Sequence, residues 1–166
     1  MSDTAINIRA ASASDAEAIA RIYNHHIRTG VATFEEQDVT TQDMGSRMAK
    51  VTALLLPWLV AESSGAVIGY AYAGKWRERS AYRFAAESSV YLDPRIAGKG
   101  IGTQLYGDLL QRLRENKALH TVIGGIAQPN APSVALHERL GFTKVAHFKE
   151  VGFKFGRWID VAYWQL

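Results

Sequence analysis

The run Ser88-Ser89-Val90-Tyr91-Leu92-Asp93-Pro94-Arg95-Ile96-Ala97-Gly98-Lys99-Gly100-Ile101-Gly102 carries a β-type segment into a glycine-spaced turn that opens a long helix. Glycines at 98, 100 and 102 let successive backbone N–H groups converge with no Cβ in the way, and the helix that follows offers unpaired N–H groups at the positive end of its dipole. Such a nest takes an anion, so a phosphate-bearing cofactor is expected there, on Gly98, Lys99, Gly100, Ile101, Gly102 and Thr103. The dinucleotide fingerprint fails, because counting on from Gly98 and Gly100 puts Thr103 where the third glycine belongs; a P-loop fails because Lys99 is followed by Gly100 rather than Ser or Thr. Taken alone, the glycines also suit a plain strand-to-helix turn.

The elements that must position this turn are legible as periodicity. Ile6-Asn7-Ile8-Arg9 alternates like a short strand, and Ser14-Asp15-Ala16-Glu17 has the form of a capping box opening a helix with apolar positions Ala16, Ile19, Ala20, Tyr23 and Ile27, closed by Gly30. A second helix is expected from about Thr41 to Leu55, ending before Pro57. Two strands, 58–61 and 67–72, flank the turn signal Ser64-Gly65, and Glu87 to Leu92 is the next strand. Beyond the glycines, Leu105, Leu109, Leu110 and Leu113 recur at helical spacing. Then come a strand at 121–126, a short helix from Ser133 to Leu140 closed by Gly141, and strands at 143–148 and 159–164. The order predicts an α+β domain, a mixed central sheet with helices on its faces.

Composition narrows the function classes. The 166 residues, 48% hydrophobic, suit one domain spanning 1–166. A net charge of +3 from 19 basic and 16 acidic residues, with the basic ones spread out, does not call for nucleic acid. The absence of cysteine excludes disulfides, thiolate metal sites and a cysteine nucleophile. No metal site is expected: His25 and His26 stand about 100° apart around a helix and cannot converge on one ion. The longest apolar stretch, residues 51–61, contains Pro57 and is far short of the roughly 20 residues that span a bilayer. With no leader pattern at the N-terminus, no membrane partner and a cytoplasmic location are expected.

A second motif makes the glycine loop specific. Residues 130–142, Asn-Ala-Pro-Ser-Val-Ala-Leu-His-Glu-Arg-Leu-Gly-Phe, resemble the GNAT element Asn-x-x-Ser-x-x-Leu-Tyr-x-x-x-Gly-Phe, and the loop resembles the GNAT pyrophosphate motif Arg/Gln-x-x-Gly-x-Gly/Ala. Gly100 and Gly102 match that motif; Ala97 stands at the Arg/Gln position, which removes one side-chain phosphate contact and leaves the backbone nest. The segments 57–62, 69–77, 86–91 and 152–160 extend the resemblance to the phosphinothricin and methionine sulfoximine acetyltransferases over nearly the whole chain. The resemblance implies the GNAT fold, acetyl-CoA as co-substrate, a small-molecule amine as acceptor and, as in many similar enzymes, a homodimer. It gives Asn130 and Ser133 contacts to the cofactor arm and makes Val90, Tyr91 and Leu92 the strand whose backbone N–H meets the thioester carbonyl, provided the neighbouring strand splays away.

Direct acetyl transfer needs a neutral amine, an oxyanion donor and a proton for the departing thiolate. Glu87, flanked by Ala85 and Ala86, is the expected base, since partial burial raises a carboxylate toward useful base strength. His137, where many GNAT enzymes have tyrosine, is the candidate proton donor; a packed structural histidine is the competing reading. Trp76, Arg77, Glu78 and Arg79 precede Glu87 in a loop that the resemblance assigns to the acceptor, with Arg77 best suited to grip a carboxylate or phosphinate and Ser88 and Ser89 beside it. Phe34 and Glu35 are expected as another wall of that pocket. Two other functions remain open on these residues: a GNAT enzyme for another amine such as a polyamine or protein N-terminus, with Arg77 and its neighbours arguing against a polycation, and a non-catalytic acyl-CoA-binding regulator, which would have no use for Glu87.

Overall fold

The computed structural model describes residues 5–96 and 100–166. Ala97, Gly98 and Lys99 therefore lie outside the described residues. One seven-stranded sheet runs through the molecule in the order β1-β2-β3-β4-β5-β7-β6. Its strands are β1 (Asn7–Ala10), β2 (Trp58–Ser63), β3 (Ala66–Lys75), β4 (Ala85–Leu92), β5 (Thr121–Ala127), β6 (Thr143–Lys154) and β7 (Arg157–Gln165). Every pairing is antiparallel except β4 with β5.

Helices cover both faces, each laying down an apolar stripe. On one face α1 (Ala16–Thr29) and α2 (Thr41–Ala53) pack Ile19, Tyr23, Ile27, Met44 and Met48 against Trp58, Val60 and Tyr70. On the other, α3 (Ile101–Glu115) buries Leu105, Tyr106, Leu109, Leu110 and Leu113 against Leu59, Ala71, Ala86 and Val122. The short α4 (Ala131–Arg139) starts at Asn130, whose side chain accepts from the Ser133 N–H at 3.2 Å.

The structure corrects three sequence expectations. Helix α1 is preceded by a short 3-10 turn, and its box is made by Ser12 and Asp15 rather than Ser14 and Glu17: the Asp15 carboxylate accepts from the Ser12 N–H at 2.7 Å and from Arg9 at 2.8 and 2.9 Å. Arg9 first, against the cost of burial, holds that carboxyl down at about 2. Helix α2 ends at Ala53, two residues early, because Leu55 adopts a left-handed φ of 57°. The last two strands are longer than expected, meeting in a tight turn where Phe155 and Gly156 take φ of 51° and 71°. Their outer stretch escapes the usual alternation because its buried positions are Gly152 and Lys154, while Val151, Phe153 and Phe155 are exposed.

Candidate functional site

Strands β4 and β5 pair only at Ala85/Thr121, Ala86/Val122 and Glu87/Ile123, then part. Beyond Glu87 the sheet opens into a wedge, lined on the β4 side by Ser88, Val90 and Leu92 and on the other by Gly125, Ile126 and Ala127. Residues of an antiparallel pair alternate between exchanging hydrogen bonds with their partner and pointing their polar backbone the other way. The Asp93 N–H donates to Ile68 at 2.9 Å and the Trp76 N–H to Ala85 at 3.4 Å, so the odd-numbered residues of β4 bond to β3. The backbone groups of Val90 and Leu92, beyond the last pairing with β5, consequently face the wedge. The Leu92 carbonyl there accepts from His26 Nε2 of α1 at 2.8 Å.

Side chains divide by face. Glu87, Ser89 and Tyr91 stand on the α1–α2 side; Ser88, Val90 and Leu92 face α3. Glu87 is half-buried in a cleft shared with Val31, Ala32, Phe34, Gly125, Val151 and Tyr163. Burial raises its carboxyl above the ordinary glutamate range, and the nearby Arg77 guanidinium partly opposes that rise. Arg77 itself is exposed, lying 4.0 Å over the Trp76 ring, and Trp76 in turn meets Tyr163 edge-on at 5.4 Å. The rest of that loop is peripheral: Glu78 pairs with Lys75 at 3.3 Å in the open, and Arg79 is exposed.

Phe34 and Glu35 part company. The Phe34 ring reaches the cleft, whereas the Glu35 carboxylate turns toward α2, where Arg47 binds both its oxygens at 2.6 and 3.0 Å and the Tyr23 hydroxyl donates at 2.8 Å. Glu35 thus serves as an anchor of the 30–40 loop.

His137 is buried, 5% exposed, in a directed hydrogen-bond chain. Its Nδ1 faces the Ser133 carbonyl at 2.8 Å, so Nδ1 is the donor. In the neutral ring Nε2 must then accept, and it accepts from the Tyr106 hydroxyl at 3.1 Å. Tyr106 is in turn 2.7 Å from Ser88 Oγ. Burial lowers His137, favouring the neutral ring, and raises the Tyr106 phenol.

At the wide end of the wedge, Gly100 opens α3 with a left-handed φ of 74°. Gly102, in the first turn with Ile101 and Thr103, lines the wedge; a Cβ there would stand 3.4 Å from Leu92. Asn130 and Ser133 line it from α4. The described residues of the glycine loop, the β4 backbone and the α4 motif are therefore brought together around one opening. An unpaired row of N–H groups leading to a helix N-terminus suits a long ligand with a carbonyl at one end and phosphates at the other. Sequence reasoning missed Tyr106, Tyr163 and His26, which reach the site from elements whose patterns advertise only burial.

Comparison with known proteins gives the same reading. Residues 8–163 match the acetyltransferase (GNAT) domain model. The chain is 44% identical over 162 residues to a phosphinothricin N-acetyltransferase of Alcaligenes faecalis, covering 97% of this chain and 82% of that protein. It is 38% identical to an L-methionine sulfoximine/L-methionine sulfone acetyltransferase of Salmonella typhimurium, covering 97% and 94%. Among solved structures, a phosphinothricin acetyltransferase from Sinorhizobium meliloti in complex with AcCoA superposes with a TM-score of 0.94 at 41% identity, covering 97% of this chain and 87% of that one. A match across nearly the whole length, on a sheet split where the motifs require it, means that the chain belongs to the GNAT acetyltransferase family.

Proposed function

We propose that this protein moves acetyl from acetyl-CoA to the α-amine of a small amino-acid analogue of the phosphinothricin or methionine sulfoximine type, by direct attack in a ternary complex. The carrying observation is the half-buried Glu87, raised by burial and faced by Arg77, at the closed end of a wedge whose backbone N–H groups have no strand partner. Glu87 takes one proton from the substrate ammonium, and the freed nitrogen attacks the thioester carbon. The Val90 or Leu92 N–H stabilises the tetrahedral oxyanion. The C–S bond then breaks, and the second amine proton neutralises the thiolate by way of solvent. The phosphates of acetyl-CoA rest at the N-terminus of α3, and Asn130 and Ser133 meet its arm. For His137 we favour a positioning part over the proton-donor part expected from sequence, since its neutral ring has Nδ1 committed and Nε2 accepting.

Arg77, with Trp76 and the wall at Phe34, selects an acceptor that carries a carboxylate or phosphinate. We further propose that the protein works in the cytoplasm, where acetyl-CoA is at hand, and as a homodimer. Exposed apolar side chains along the β6–β7 hairpin support the dimer: Val145, Phe153, Phe155 and Trp158 are each more than half exposed. No described helix is long and apolar enough to cross a membrane.

A thiol-release assay tests the substrate class. Phosphinothricin or methionine sulfoximine should show kcat/KM at least about tenfold above spermidine, because a polycation beside Arg77 loses on the order of 1 kcal/mol. Preferential turnover of spermidine would overturn the assignment; acetyl-CoA binding without turnover of any amine would favour a regulator.

A further inference from the structure

We infer that Lys154, remote from the acetyl-transfer centre in sequence, is a positioning residue for acceptor recognition. It fixes the α1–α2 loop so that Phe34 forms the cleft wall opposite Glu87. The inference rests on the acceptor cleft proposed above.

Lys154 is 2% exposed, an uncommon state for a lysine, and nothing in the acetyl-transfer chemistry uses it. Its ammonium donates to the Gly30 carbonyl at 2.9 Å and to the Thr33 carbonyl at 2.8 Å, across more than a hundred residues of chain. Burial lowers its basicity, and Glu36 first, then Glu35, hold it charged. A buried cation is costly unless its hydrogens are used, so these two bonds must persist for the charge to be tolerated.

The loop it grips has little else of its own. Among the described residues, no backbone–backbone hydrogen bond anchors residues 31–38. Side chains hold them instead: Thr33 and Glu35 through Tyr23, Glu35 through Arg47, the Ala32 carbonyl through the Tyr91 hydroxyl at 3.4 Å, and Asp38 through Arg28. Between the two carbonyls gripped by Lys154 lie Val31 and Ala32, and next to them Phe34, all three lining the cleft with Glu87.

A second contact lies on the same face of β6, two residues away. Gly152 is buried under the Phe34 ring, and a Cβ built on it would fall 2.3 Å from a ring carbon. Gly152 and Lys154 are the buried residues of β6, so the inner face of this hairpin has two tasks: one residue pulls the loop down and the other makes room for its aromatic ring.

The test uses Lys154→Met, which keeps length and apolar bulk but removes the donor, with Gly152→Ala as an independent push on the same wall. The expected result for both is a rise of about tenfold in KM for methionine sulfoximine with KM for acetyl-CoA within about twofold of wild type. Hydrogen exchange in Lys154→Met should also quicken at residues 30–36 and stay unchanged in α3, a readout that needs no acceptor. Should Lys154→Met fail to fold, Lys154→Gln, which keeps a shorter donor in place of the ammonium, decides by the same split. Equal changes in both KM values, or an unchanged acceptor KM in a folded variant, would overturn the inference. Failure of the wild-type protein to acetylate methionine sulfoximine would instead count against the proposed function, leaving the exchange result to judge Lys154.

Discussion

Strand β4 comes to the wedge with a carboxylate, a hydroxyl and a row of free backbone N–H groups, whereas β5 comes to it with glycines. On β4 nearly every position is committed: odd residues bond to β3, even residues face the opening, Glu87 enters the proposed acceptor cleft and Ser88 ends the chain to Tyr106. On β5 the decisive feature is missing bulk. A Cβ on Gly124 would lie 2.6 Å from His137 Nε2, and one on Gly125 would lie 2.9 Å from the Tyr163 ring. On the proposed mechanism one wall holds the reacting groups, and the other provides space for side chains behind it. Substitutions on the β4 side should therefore change rate, and those on the β5 side should change fit.

The largest expected effect is on the β4 side. Glu87→Gln keeps shape and removes the proposed base, so kcat should fall on the order of 10²-fold with acetyl-CoA affinity little altered. A carboxylate base acts ionised, so on this proposal wild-type activity should rise with pH through a value above the ordinary glutamate range, because burial raises Glu87. That acid limb should vanish in Glu87→Gln. A kcat within a few-fold of wild type at every pH would remove Glu87 as base and leave β4 only its backbone.

Arg77 sharpens the same point with a smaller effect. Its positive charge favours ionised Glu87, so Arg77→Ala should move the acid limb to still higher pH. KM for an anionic or zwitterionic acceptor should rise about tenfold, and KM for an uncharged amine much less. Equal effects on both acceptors would show that Arg77, exposed and stacked on Trp76, is only a solvated cation.

Legibility in the sequence follows the same division. Glu87, the glycine-opened helix and the Asn130–Gly141 helix could be read because each depends on neighbours in the chain: alternation, a cap, a left-handed turn. The expected splay of the sheet has its counterpart in the three paired positions of β4 and β5. Tyr106 and Tyr163 could not be read as site residues, since a tyrosine on an apolar helix stripe or a late strand looks like core until topology puts Ser88 or Trp76 beside it. Glu35 misled for the complementary reason. It sits next to a true cleft residue, but Arg47, twelve positions on, takes its carboxylate. Lys154 lies beyond the strand expected at 143–148, and only the packing of the longer hairpin over residues 30–33 buries it.

The smallest effect is expected from the β5 wall, where Gly125→Ala adds a single methyl group. Gly125 has an ordinary negative φ, so the backbone accepts alanine without strain, and the cost is steric. The new Cβ would press on Tyr163 Cε1 at 2.9 Å, closer than carbon atoms tolerate, and the ring must tilt. Tyr163 shares the proposed acceptor cleft with Glu87 and Phe34 and touches Trp76 edge-on, so its tilt narrows that cleft and leaves the glycine-opened end of the wedge alone. KM for methionine sulfoximine should rise on the order of threefold, about 0.7 kcal/mol, with kcat and the acid limb unchanged. Steady-state kinetics across pH would decide: a shifted limb or a fall in kcat as large as that of Glu87→Gln would mean that β5 also takes part in the chemistry, and the division between the two walls would fail.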